Sequence, residues 1–134
     1  MEDNHIVAVQ DEEAYWHLAR QFVRVLIVEV NEALRQAGIP DQEQRRRICE
    51  GAVFGIANFF DSYWMGVEGR KMYPLLGFAE TFPDDAMELA NLGPVHIPHK
   101  AVELHAMVWD EVRWYFEEQK ENDNAVPMGC VGED

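Results

Sequence analysis

The stretch GVEGRKMYPLLGFAETFPDDAMELANLGPVHIP, residues 66–98, decides the fold, because the sequence on both sides of it carries a helical pattern. Gly66, Gly69, Pro74, Gly77, Pro83, Gly93, Pro94 and Pro98 interrupt it too often for one long element. Two short helices fit between the breakers. One covers residues 72–79, and the other runs from Asp84 to Asn91, where Asp85 and Glu88 have capping-box spacing. Strand-like alternation is confined to residues 6–9, too short to build a sheet. The expected fold is therefore all-α: a compact helical bundle of three long helices plus two short helices in an irregular connection.

Working outward, Asp11 followed by Glu12 and Glu13 offers a cap acceptor and two acids at the positive end of a helix dipole. That helix should run to Ala37 and stop at Gly38. Pro40, Asp41 and Gln44 form the start of a second helix, which reaches about Tyr63 to Gly66. After the interrupted stretch, Pro98 sits well at a first helical position, and an unbroken pattern continues to about Lys120. Residues 1–120 thus read as a single α-helical domain and 121–134 as an acidic C-terminal tail.

With 134 residues there is room for one core, and a hydrophobic content of 48% is enough to fill it. The 25 acidic and 11 basic side chains give a net charge of −14, a field that repels phosphates and anionic membranes. Nucleic acid and membrane are excluded as expected partners, and a basic protein partner is favoured. Cys49 and Cys130 have no framework spacing, no apolar run approaches the roughly 20 residues of a membrane span, and the acidic start does not resemble a secretory signal. The expected location is cytoplasmic.

Helical projection places Tyr15, Leu18, Ala19, Phe22, Val25, Leu26, Val30 and Ala33 on one side of the first helix, with Glu29 near the centre of that stripe. Arg20, Arg24, Asn31 and Arg35 form its reverse face. On the last helix His105 falls inside the stripe of Ala101, Leu104, Val108, Trp109, Val112, Tyr115 and Phe116. An acid and an imidazole that both point inward should find each other, so Glu29 and His105 are expected to form a buried polar pair. The middle helix is apolar nearly all round. Ile48, Ala52, Ile56, Phe59 and Tyr63 make its core stripe, leaving Phe54, Ala57, Trp64 and Met65 for a second subunit in a homodimer. Glu50 and Asp61 project toward that second face.

Candidate chemistry is sparse. Glu29-x-x-Glu32 resembles one acidic pair of the all-helical magnesium-dependent nucleotide pyrophosphohydrolases. Those enzymes also carry a Glu-x-x-Asp pair on a following helix, whereas Asp85-x-x-Glu88 has the reverse order and a capping role. The resemblance implies Glu29 and Glu32, and with the inward-facing His105 they are the catalytic candidates for nucleotide hydrolysis. His99 and Glu103, one turn apart, are the candidate metal ligands, with His105 some 120° away on the same helix. No Gly-rich phosphate loop or Gly-x-Ser-x-Gly elbow occurs, Ser62 is the only serine, and no motif calls for a cofactor.

Together these features favour a small acidic, non-catalytic binding or regulatory protein, similar in size and charge to inhibitor or immunity proteins. Its expected partner-binding surface combines Glu103, Asp110 and Glu117 with Trp114. The alternative is a small all-α enzyme or ligand-binding protein built around Glu29, Glu32 and His105.

Overall fold

A computed structural model describes residues 6–81, 92–98 and 103–118. Strand β1 (Val7–Val9) leads into helix α1 (Glu12–Gln36), which pairs with α2 (Gln42–Ser62). Strands β2 (Met65–Val67) and β3 (Arg70–Met72) form a hairpin, followed by β4 (Phe78–Ala79) and β5 (Pro94–His96). The last helical segment changes pitch as it runs: a 3-10 turn at Leu104–Met107, α3 at Val108–Arg113, and a π turn at Trp114–Glu118.

Both long helices start where their caps require. The Asp11 side chain accepts from the N–H of Ala14 at 3.0 Å, and Asp41 accepts from that of Gln44 at 3.2 Å. Between the helices Gly38 takes φ +89°, the left-handed conformation that ends α1 and favours glycine.

The all-α expectation is corrected. The described chain is 62% helical, but five strands in two small sheets make it a mixed α/β structure. β1 pairs in parallel with β5, and β4 pairs antiparallel with β5 on its other side. Residues 7–9 do alternate as a strand; what the local pattern could not supply was β5, a partner remote in sequence. The short helix expected over 72–79 is absent. Met72 ends β3, and Phe78 and Ala79 form β4 beside β5. The helix expected from Asp84 to Asn91 and the tail at 121–134 lie outside the described residues, as do 99–102 at the start of the expected last helix.

The core is built from two ridges of every fourth residue. α1 buries Tyr15, Ala19, Val23, Ile27 and Asn31, and α2 buries Arg45, Cys49, Val53 and Ala57. Leu104, Met107, Val108, Val112, Tyr115 and Phe116 close over them from the last segment. Four-residue steps walk about 40° around a helix each time, so the buried line changes direction along its length. At the start of α1 it faces the sheet, where the Phe78 ring lies 5.5 Å from that of Tyr15 and 6.0 Å from that of Phe22. At the end it faces α2.

The same drift overturns two expected faces. Glu29 is exposed, whereas Asn31, assigned to the reverse face, is only 2% exposed. The middle helix is turned the other way as well: Ala57 is 1% exposed, while Ile48, Ala52, Ile56 and Tyr63 face solvent. Arg45 fixes that rotation. Its Nε donates to Asn31 Oδ1 at 2.8 Å, and its Nη1 donates to the carbonyls of Ile39 at 2.9 Å and Pro40 at 2.8 Å. With Arg45 drawn inward to satisfy the α1–α2 turn, Cys49, Val53 and Ala57 must follow it into the core.

Candidate functional site

α2 carries Asp61 in its last turn, where an acid is opposed by the helix dipole and requires donors from elsewhere. The last helical segment provides them. Asp61 Oδ1 accepts the Leu104 N–H at 2.9 Å, and Oδ2 accepts both the His105 N–H at 2.8 Å and the His105 ring Nδ1. A carboxylate from one helix thereby caps the start of another and holds an imidazole in one orientation. Facing an ionised carboxylate, Nδ1 is the donor, which makes Nε2 the acceptor in the neutral ring. The ring also meets Phe54 edge-on at 5.4 Å.

Beside this pair opens a pocket of about 490 Å³. Its walls are mostly apolar or aromatic, from Tyr15, Phe60, Tyr63, Tyr73, Leu76 and Ile97 among others, and among the described residues Asp61 is the only charged one lining it. Tyr15 is tied down at the back, its hydroxyl donating to the Leu76 carbonyl at 2.7 Å. Burial, and secondarily the charge of Asp61, push the Tyr15 hydroxyl up to about 12.

The residues singled out from the sequence are distributed differently. Glu29 and Glu32 stand exposed on α1, and Glu32 accepts a hydrogen bond from Gln36 at 3.3 Å. His105 is bound to Asp61, not to Glu29, so the three catalytic candidates do not converge. Glu103 is exposed at the start of the 3-10 turn, and His99 lies outside the described residues. No group of three metal-ligating side chains is assembled among the described residues.

The expected acidic contact surface is largely engaged with the protein's own cations. Asp110 pairs with Arg113 at 2.6 Å and Glu117 with Arg46 at 3.0 Å, while the Arg24 guanidinium lies 3.9 Å from the centre of a Trp114 ring. Of the four expected dimer residues, Ala57 is core and Phe54 packs between His105 and Trp109; Trp64 and Met65 remain exposed.

Besides Arg45–Asn31, two polar units went unread in the sequence. Asp61–His105 had a signal, an acid at the wrong end of a helix. Arg24–Glu111, joined at 2.6 Å with Arg20 at 3.6 Å from the same carboxylate, had none, because its arginines lay on a face that read as solvent. Ser62 is hydrogen-bonded to Asn58 at 3.5 Å, and burial raises the Cys49 thiol to about 11. Neither is set up as a nucleophile beside His105.

No protein-family model, curated protein or solved structure matches this chain. Among the described residues no helix is long and apolar enough to cross a membrane.

Proposed function

We propose that this chain is a non-catalytic binding protein that engages a basic protein partner through the β2–β3 hairpin and the aromatic residues at its base. The observation that carries this reading is the exposure of apolar side chains on both faces of the hairpin. Its register pairs Met65 with Met72 and Val67 with Arg70, which leaves Trp64, Lys71 and Tyr73 on the opposite face. Trp64 is 52% exposed, Tyr73 56% and Leu75 77%, and Met65, Val67 and Met72 are exposed too.

A two-stranded hairpin in water is marginal without a packed face, and large aromatics are the usual anchors of protein interfaces. The strands carry Arg70 and Lys71 against Glu68 in the turn, and the Lys71 ammonium lies 4.8 Å from the centre of the Trp64 ring. The hairpin is therefore a locally basic patch on a chain of net charge −14 and would bind through its apolar side chains, not its charge. Such a surface would contact the partner's apolar groove, while the surrounding acidic field speeds its approach to a basic surface.

Affinity capture with the native chain and with Trp64→Ala/Met65→Ala, read by quantitative mass spectrometry, tests the proposal. A specific basic partner should be depleted at least tenfold with the double variant and weakened by added salt. Equal recovery by both proteins would remove the hairpin from the interface.

The open face of α2 favours self-association as a second reading. Ile48, Gly51, Ala52, Gly55 and Ile56 are exposed there, and a Cβ placed on either glycine would meet nothing within 4 Å. Light scattering of the native chain and of Gly55→Glu distinguishes this reading: a dimer lost in the variant supports it, and a monomer in both removes it.

A further inference from the structure

We infer that the pocket between α2, the hairpin base and the last helical segment receives a lysine side chain of the partner, its stem against the tyrosines and its ammonium beside Asp61. The inference deepens the binding reading above and rests on it for the source of the lysine.

Three features of the pocket select this chemistry. Its walls include four aromatic residues, Tyr15, Phe60, Tyr63 and Tyr73, which suit an aliphatic stem and whose ring faces attract cations. Among the described residues its one charged lining side chain is an acid, and none that lines it is basic. The carboxylate of Asp61 also retains acceptor capacity. Of its about four lone-pair positions, three meet the Leu104 N–H, the His105 N–H and the His105 ring, and among the described residues no donor meets the fourth, on Oδ1.

The field of that carboxylate acts within the pocket. It contributes to the raised Tyr15 hydroxyl, and the same field that opposes a phenolate favours an ammonium. The side chain of Asp61 is 5% exposed, so its charge is weakly screened by solvent. The pocket has a suitable address for such a ligand: Tyr63 and Tyr73 at its rim continue directly into Trp64 and Met72 of the hairpin, so a partner docked on the hairpin brings its side chains to the mouth. A chain with net charge −14 has the overall field to attract a lysine-rich surface.

The test is a titration of the full chain, with ¹³C-labelled tyrosine rings observed by NMR, against blocked single amino acids: Nα-acetyl-lysine methylamide, the uncharged norleucine equivalent, and n-butylammonium as the free-amine probe. The lysine derivative should shift the resonances of Tyr15, Tyr63 and Tyr73, and the norleucine derivative should bind at least tenfold more weakly. Equal binding of the two, or no shift with either, overturns the inference. Binding of n-butylammonium without the lysine derivative also overturns it, in favour of a small free amine.

Asp61→Asn should erase the preference for lysine over norleucine. Because that change also weakens the cap on the last segment, Tyr73→Ala gives an independent check at the rim and should weaken lysine binding about fivefold; unchanged affinity there counts against the pocket. No partner is needed in these titrations. A chain that captures its partner through the hairpin yet ignores the lysine derivative refutes this inference alone, and one that binds lysine with undiminished capture by the hairpin variant refutes only the hairpin reading.

Discussion

The carboxylate of Asp61 holds His105 twice, by its backbone N–H at 2.8 Å and by its ring Nδ1, and holds the neighbouring Leu104 N–H at 2.9 Å with its other oxygen. One side chain thereby fixes where the last helical segment begins and how its imidazole is oriented. Hydrogen bonds to a charged acceptor are the stronger kind, and a buried cap is costly to remove. Asp61→Ala should cost about 3 kcal/mol in urea unfolding. A double-mutant cycle of Asp61→Asn with His105→Gln should return a coupling of at least ~1 kcal/mol. The cycle of Glu29→Gln with His105→Gln should return none, since Glu29 is exposed on α1.

Arg45 is buried with no carboxylate partner among the described residues, its guanidinium spread over Asn31 and the carbonyls of Ile39 and Pro40. Arg45→Met would leave all three acceptors unpaired, at a cost of about 3 kcal/mol. Arg45→Lys keeps the charge but loses the planar fork, so it should rescue only part of that loss. Urea midpoints of the two variants check both the size and the order.

Alkaline pH should weaken the fold in a defined window. Tyr15 is raised from 10.0 to about 12 and Cys49 from 9.0 to about 11, in both cases chiefly by burial. Above pH 9 the unfolded chain releases protons that the folded chain keeps, so stability is full below that point and falls as pH rises toward 12. The Tyr15 share is on the order of 2–3 kcal/mol. Unfolding midpoints between pH 8 and 12 should show the decline, and Tyr15→Phe should flatten its upper part. A midpoint independent of pH for the native chain over that range would contradict both shifts.

Glu68 occupies φ +51° ahead of Gly69 at φ +78°, the pair of left-handed residues that a two-residue hairpin turn requires. Asn tolerates that conformation better than Glu, so Glu68→Asn should stabilise the hairpin by about 0.5 kcal/mol. The gain should appear as slower amide exchange at Val67 and Arg70. The global unfolding midpoint should barely move, because the strands of this hairpin are exposed outside the core.

Cysteine reactivity separates the core face of α2 from its open one. Cys49 is free and buried, with its thiol raised to about 11, so thiol reagents near neutral pH should leave it unmodified in the folded chain and label it fully in urea. The conservative exchange Ile48→Cys, one residue earlier on the exposed side, should label readily. Rapid native labelling of Cys49 would show that α2 is turned as the simple apolar stripe of Ile48, Ala52 and Ile56 suggested.

How much was legible follows from the range of each signal. The caps at Asp11 and Asp41 and the stop at Gly38 act within one turn, so both helices began at those caps and the first ended at that stop, whereas the second ended at Ser62, short of the expected Tyr63 to Gly66. Faces were less legible. An averaged projection assumes one neighbour along a whole helix, but α1 meets the sheet through Tyr15 and Phe22 and meets α2 through Asn31, so its buried line turns. The strands were hidden for a related reason: β1 is three residues long and acquires meaning only when β5 lies beside it.

By itself, then, the sequence determined the two long helices, their caps and the acidic field, all of which depend on residues close together in the chain or on composition alone. Tertiary structure decided the rest. It turned α2 about Arg45, closed the small sheet around β5, paired Asp61 with His105 in place of Glu29, and left the hairpin and its neighbouring pocket open. The sheet around β5 and the Asp61–His105 pair required a strand or a polar group to find its partner far along the chain, and such a search is settled by packing, which no local pattern records.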